Sequence, residues 1–360
     1  MARSFIRLSL LAAEEKNVIK EERTKARELA DAFHFPTNDF FKNYKVSVEM
    51  INYLCKELNE DLAPKNSKGY SVPLKVISSL KMLLDGHYQR ANANESSQCL
   101  GQTTVSKYLH QFVTAVNERL KPRWITFPSN TKERHQIAQT FLSKSGVPNI
   151  LGVIDCTQVK ILPPNGVISS HFKNSHGDMA INVQLICDGD AKIINVNANF
   201  PGSFDDQFIF NNSLIKSELQ RLHNEQIGQY FLLGDSQYAL EPWLMTPVVN
   251  TEIDTPEDRY SSWHCSTHSI IGQTKCYLKG TFRCLGLDRR LHYSPEKSSA
   301  IIYACCTLYN IIKHFRIPPI QGEGEVEQAD LARPESPEIN ETYLSIAEQK
   351  RQNLIQTYFL

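Results

Sequence analysis

Two short apolar runs, each closed by an aspartate, constrain this chain more than any other feature. GVIDCTQV reaches Asp155 after a Val-Ile pair, and FLLGDSQY reaches Asp235 after Phe231, Leu232 and Leu233. Runs of this length, rich in branched and aromatic residues, read as buried strands. A carboxylate directly after such a run emerges where the strand meets solvent. Between the two lie INVQLICD and AKIINVNANF, joined by the turn Asp188-Gly189-Asp190, and then a helical stretch over about 204–221 that opens at Pro201-Gly202-Ser203. Three strands, a helix and a fourth strand predict a mixed sheet with helical cover, an α/β layered domain. Two helices, over 268–285 and 295–315, should pack on it. The second carries Ile301, Ile302, Cys305, Leu308, Ile311, Ile312 and Phe315 along one face, with Cys305-Cys306 in the core.

The rest of the 360 residues divides around this domain. Residues 1–45 form a charged peripheral segment with Val18, Ala26, Leu29 and Phe33 as a thin apolar stripe, and Phe35-Pro36 ends its helix. Residues 46–148 read as an all-α domain. SVPLKVISSLKMLL places Pro73 near a helix start and Val76, Leu80, Leu83 and Leu84 on one face. In LGQTTVSKYLHQFVTAV, Gly101 suits a tight turn and Thr103 suits a helix cap. Val105, Leu109, Phe112 and Val116 should face inward, with Thr104, Ser106, Lys107, His110 and Gln111 outward. Helix, glycine turn and a helix with a small polar outer face is a helix-turn-helix plan. Ordinary helical bundles share the pattern. A further amphipathic helix spans 131–145. The main α/β domain occupies 149–316, residues 317–341 form an acidic linker expected to be disordered, and 342–360 carry a terminal helix.

Composition narrows the class. Lys+Arg and Asp+Glu number 39 each, which excludes a chain that coats polyanions through net charge, though not a local basic face. The nine cysteines include no CxxC pair, so they read as reduced thiols of an intracellular protein. The start, MARSFIRLSLLAAEEK, holds an apolar run too short for a signal peptide, and Glu14-Glu15 cut it off. No apolar stretch approaches the ~18 residues of a membrane span, so no membrane association is expected.

Paired strand-end aspartates are the hard oxygen ligands that Mg²⁺ or Mn²⁺ prefers. Two such ions clamp the attacking and leaving oxygens in phosphoryl transfer. Asp155 and Asp235 are therefore the candidate catalytic and metal-ligating residues. A third acid on a later helix would complete the set, but none lies between Asp258 and Asp288, and Gly272 stands at the expected place. Asp205 and Asp206, just after Pro-Gly-Ser, read as first-turn helix residues that suit the helix dipole. Lys275, Lys279 and Arg283 recur at i, i+4 and i+8. With Arg289, Arg290 and Lys107 they are the candidate contacts for a phosphate backbone, or else a solvated charged face. His264, Cys265 and His268 could be drawn as a metal set.

GVIDCTQV, FPGSFDDQFIF, LLGDSQYALEPWLMTP and HYSPEKSSAIIYACCTLYNI, in this order and spacing, resemble the PIF/Harbinger transposase family, in particular its domesticated animal branch of Harbinger transposase-derived nucleases. The resemblance covers about 70–315. It implies a ribonuclease H-like DDE domain after an all-α, helix-turn-helix-like region. The family's first two catalytic aspartates fall on Asp155 and Asp235, and its third acid on Gly272. The family's Lys-Gly-x-His-Ser-x-Asn run corresponds to His176 through Asn182, so its Lys and His-Ser are gone. Its Leu-His-Asn reads Leu308-Tyr309-Asn310, while Trp243 and Leu244 fit. For His264 and His268 it implies a role in positioning the helix. It also implies DNA as a partner, a separate Myb/SANT-like DNA-binding protein, and the nucleus as the place of action, with the cytoplasm as a second. Three functions remain open: a DNA- or chromatin-associated homologue without efficient nuclease activity, a Mg-dependent endonuclease with an unorthodox third ligand, and a protein adaptor without DNA contact. A substitute acid from Glu252, Asp258 or Glu296 would need a large rearrangement.

Overall fold

Alternation and helical periodicity translate directly into the architecture of the computed structural model, which describes residues 41, 44–64, 69–86, 102–164, 167–318, 320 and 341–360. The chain divides into two compact units, Met1–Arg119 and Leu120–Leu360.

The first unit is helical: α1 (Val48–Glu57), α2 (Asn59–Leu62), α3 (Val72–Asp85) and α4 (Gln102–Ala115). Ser47 caps α1, its hydroxyl accepting from the Met50 amide at 3.2 Å. Gly86 ends α3 in the left-handed conformation that costs glycine nothing. Val105, Leu109, Phe112 and Val116 are buried as their spacing predicts, and Lys107 and His110 are exposed. Thr103 lies inside α4 rather than ahead of it. The expected helix-turn-helix turn at Gly101, the peripheral helix of 1–35 and most of the acidic 317–341 stretch lie outside the described residues.

The second unit carries the sheet. After α5 (Lys121–Trp124) and α6 (Thr131–Ser145) come β1 (Ile150–Lys160), β2 (Ala180–Cys187), β3 (Ile193–Pro201), α7 (Asp206–Asn211), α8 (Leu214–Asn224), β4 (Phe231–Leu233) and β5 (Leu244–Met245). Then follow α9 (Pro256–Thr281), α10 (Pro295–His314) and α11 (Glu341–Tyr358). The strand order is β3-β2-β1-β4-β5; β1, β2 and β3 run antiparallel, and β4 and β5 parallel to β1. This is the expected α/β, ribonuclease H-like mixed sheet with flanking helices.

Four differences from the sequence reading have local causes. The 204–221 stretch is two helices, because the Ser213 hydroxyl accepts from the Lys216 amide and starts α8 afresh. β5 is a fifth strand of two residues, too short for a periodic signal. The helix read from His268 begins twelve residues earlier, where Thr255 accepts from the Asp258 amide. Its end is sharper too: Arg283–Leu285 forms a separate 3-10 turn.

One core lies under β1, β2 and β4, with Ile154, Ile186, Phe210, Leu219, Tyr238 and Trp243 packed together. Gly152, at a register shift of β1 against β4, has no room for a side chain: a Cβ there would sit 2.8 Å from Ile186 Cγ2. The terminal helix docks. Arg259 Nε donates to the Phe359 carbonyl at 2.8 Å, and Lys350 Nζ donates to the carbonyls of Pro242 (2.7 Å) and Gln229 (3.1 Å). Burial lowers the Lys350 pKa to about 7.

Candidate active site

β1 sits at the middle of the sheet, and strand alternation divides its side chains between two faces. Asp155 turns toward α9, while Cys156 turns the other way and meets the Tyr238 hydroxyl at 3.6 Å. Asp235 lies two residues beyond β4, which pairs directly with β1. Its carboxylate accepts from the Gln237 amide at 3.0 Å. Burial first, and then the charge of Asp155, raise the Asp235 pKa, so the two carboxylates share one electrostatic neighbourhood. The fold thus brings the two sequence-predicted aspartates to neighbouring strands.

α9 runs across β1 and decides what faces these acids. His264 Nε2 lies 3.1 Å from the Met245 carbonyl, and His268 Nε2 lies 2.9 Å from the Ile154 carbonyl. The rings stack 5.9 Å apart. Each ties α9 to the backbone of a strand, and Cys265 between them is exposed. Burial lowers the His264 pKa to about 4, helped by the charges of His268 and Arg351 and opposed by the Met245 contact. One turn past His268 comes Gly272, where an added Cβ would meet nothing within 4 Å. The next turn holds Lys275, whose Nζ donates to Asp155 Oδ2 at 2.7 Å and to the Cys156 carbonyl at 3.0 Å. Both side chains of this ion pair are 16% exposed. Lys279 Nζ donates to the Gln158 carbonyl at 3.0 Å.

The i, i+4 part of the basic stripe therefore ends on β1. Arg283 is exposed. Arg290 pairs with Asp178 at 3.0 Å, as does Lys160 at 2.8 Å; the Lys160 hydrogen bond, chiefly, holds the Asp178 carboxyl below its ordinary value. Arg289 faces Asp288 at 3.2 Å. Lys107 lies exposed on α4 of the other unit.

A third acid comes near the site, from the helix start where the sequence placed Asp205 and Asp206. Asp205 caps α7, accepting from the Phe208 amide at 2.6 Å. That cap sets Asp206 at the first helical position, half-buried, with Asn182 Nδ2 donating to its Oδ1 at 3.0 Å. Burial, then the charges of Asp155 and Asp235, raise the Asp206 pKa to about 7. Its carboxyl meets Cys156 and Asn182, on the α7 side of the sheet, whereas Asp155 faces α9. The available signal was the Asp pair after Pro-Gly-Ser together with a strand Asn at 182. The alternative acids stay away. Asp258 is bound to Thr251 at the start of α9, about 21 Å along the axis from Gly272 at 1.5 Å per residue. Glu252 and Glu296 are exposed. Among the described residues, no three His, Cys, Asp or Glu side chains converge in a metal-holding arrangement. Nor is any helix among them long and apolar enough to cross a membrane.

Comparison with known proteins places this geometry. Residues 154–310 match the DDE superfamily endonuclease family, whose chemistry uses divalent metal. HARBI1 of Xenopus laevis is 33% identical over 330 residues, covering 90% of this chain and 91% of that protein. HARBI1 of Homo sapiens is 33% identical over 287 residues, 77% of this chain and 79% of that protein. The ALP1-like protein of Arabidopsis thaliana is 25% identical over 310 residues, 80% of this chain and 74% of that protein. No solved structure matches the chain. The expected sheet, the paired strand-end aspartates and near full-length similarity to HARBI1 agree: this chain belongs to the Harbinger-derived nuclease family of the DDE endonuclease superfamily.

Proposed function

We propose that this Harbinger-like nuclease homologue has a degraded metal site and acts by associating with DNA or chromatin in the nucleus rather than by efficient strand cleavage. The observation that carries the reading is Gly272: exposed, one turn before the Lys275 that reaches Asp155, it offers no carboxylate, and a Cβ there would meet nothing within 4 Å. The residues present do not fit a two-metal centre. Asp155 is already paired with an ammonium, and Asp206 lies on the other face of the sheet, held by Asn182. Metal catalysis supplies several kcal/mol of transition-state stabilisation, and each ~1.4 kcal/mol lost slows the reaction tenfold. Exposed Arg283 and Lys107 support contact with a phosphate backbone. A separate Myb/SANT-like partner supplying sequence-specific DNA contacts completes the proposal.

Plasmid nicking in Mg²⁺ and in Mn²⁺, with DNA binding followed by gel shift, tests it. Binding without nicking is expected, weakened by charge reversal at Arg283 and Lys107. Nicking by the wild type that vanishes in Asp155→Asn overturns the reading, and absence of DNA affinity replaces it with a pure adaptor. Asp206 favours a second reading, an active Mg-dependent endonuclease with an unorthodox third ligand. That reading requires metal-dependent nicking that Asp206→Asn abolishes.

A further inference from the structure

A buried carboxylate pair without a counterion is costly, because each charge loses water and repels the other. Asp155 and Asp235 are half-buried carboxylates on neighbouring strands, and glycine at 272 supplies no positive charge to relieve them. Lys275 does. It stands three residues, about one turn, past Gly272, on the same face of α9. Its ammonium meets one carboxylate oxygen and one carbonyl oxygen of β1, at 2.7 and 3.0 Å. Carboxylate and backbone carbonyl oxygens are the donors a hard cation takes, and an ammonium with three N–H donors satisfies them equally. A divalent ion arriving at Asp155 would displace this charge and leave it largely buried without its partner. The pocket therefore differs from a metal site in two ways: no acid stands at 272, and a cation reaches Asp155 from 275.

We propose that Lys275 is the resident cation of this pocket: its ammonium takes the place of a divalent ion at Asp155, so the site is assembled and neutralised without metal. This rests on the assignment of Asp155 and Asp235 as the former metal ligands, but not on whether the chain binds DNA. It deepens the account of the site in one respect. Restoring the acid alone, by Gly272→Glu, places a carboxylate at i, i+3 from Lys275, where it pairs with the ammonium instead of opening a metal site. Recovery of metal affinity requires Gly272→Glu together with Lys275→Met.

The test uses the full chain and Mn²⁺ as the probe, read by electron paramagnetic resonance and by thermal melting against EDTA. The wild type and Gly272→Glu should show neither saturable Mn²⁺ binding nor a change in Tm. Lys275→Met should melt lower in EDTA, and Mn²⁺ at saturating levels should raise its Tm by about 4 °C or more. The double variant should bind most tightly, and adding Asp155→Asn should abolish the effect. Lys275→Gln, which keeps a polar tip, serves if Lys275→Met fails to fold. Saturable Mn²⁺ binding by the wild type that Asp155→Asn removes overturns the proposal on its own, whatever the variants do. So does a folded Lys275 variant with no gain in Mn²⁺ affinity. DNA binding by gel shift, measured on the same proteins, reports separately on the functional reading above.

Discussion

The two halves of α9 make opposite use of the same sheet. In the first half, Tyr260, His264 and His268 anchor the helix to backbone in or just after the strands: Tyr260 donates to the Thr246 carbonyl at 3.1 Å, and the two histidines meet Met245 and Ile154. In the second half, Gly272 and Lys275 face the aspartates with no acid and one cation. The first half supports the scaffold whatever the pocket does; the second sets what the pocket can do. Backbone anchoring and side-chain chemistry are thus made by different residues of one helix, so one can change without the other.

Four substitutions on α9 break or sharpen this contrast. The largest effect belongs to Tyr260→Ala. Its ring is fully buried against Trp263, His264 and Phe359, and removing it should cost about 3–5 kcal/mol in urea denaturation. A loss confined to the last turn of α11 would contradict the anchoring role.

Next comes acid sensitivity at His264. Its folded pKa, about 4, lies below the usual value of 6.5, and its Nδ1 is buried with no hydrogen-bond partner. Below about pH 6.5 the unfolded chain takes up a proton that the folded chain refuses, so stability is complete above that pH and is lost as pH falls toward 4. His268, stacked on the ring, and Arg351 act in the same direction. His264→Gln should remove this share of the pH dependence, up to about 3 kcal/mol between neutrality and pH 4. An unchanged slope would show that the ring is solvated.

In the second half the effects are smaller. Lys275→Met in EDTA should cost about 1–2 kcal/mol, less than for a fully buried pair because water reaches both partners. Asp155→Asn should cancel most of that cost in a double-mutant cycle; additive losses would mean the pair is uncoupled. Smallest, and opposite in sign, is Gly272→Ala. The position lies in a helix interior with free space around it, so alanine should stabilise by about 1 kcal/mol, seen as a higher Tm. A decrease would mean that a close neighbour needs the glycine.

Much of the fold could be read from residues alone. β1, β2, β3 and β4 follow from short apolar runs rich in branched residues, and the 131–145 helix and the inward face of α4 from periodicity, since burial on one face of a helix leaves a period in the sequence. β5 did not, because two residues have no period. The break at Asn212-Ser213 did not either, since a serine cap inside an apolar stretch resembles any polar interruption.

Of the site, the sequence by itself showed two aspartates closing apolar runs and the absence of Asp and Glu between Asp258 and Asp288, because both are visible in any register. Tertiary structure alone decided that Lys275 and Lys279 turn onto β1, that Arg290 meets Asp178, and that Asp206 joins the neighbourhood of Asp155 and Asp235. A lysine on a helix stripe has one local pattern whether its ammonium lies in water or on a carboxylate 120 residues away. Which it does is fixed by how the helix crosses the sheet, and long-range charge pairing leaves no period behind it.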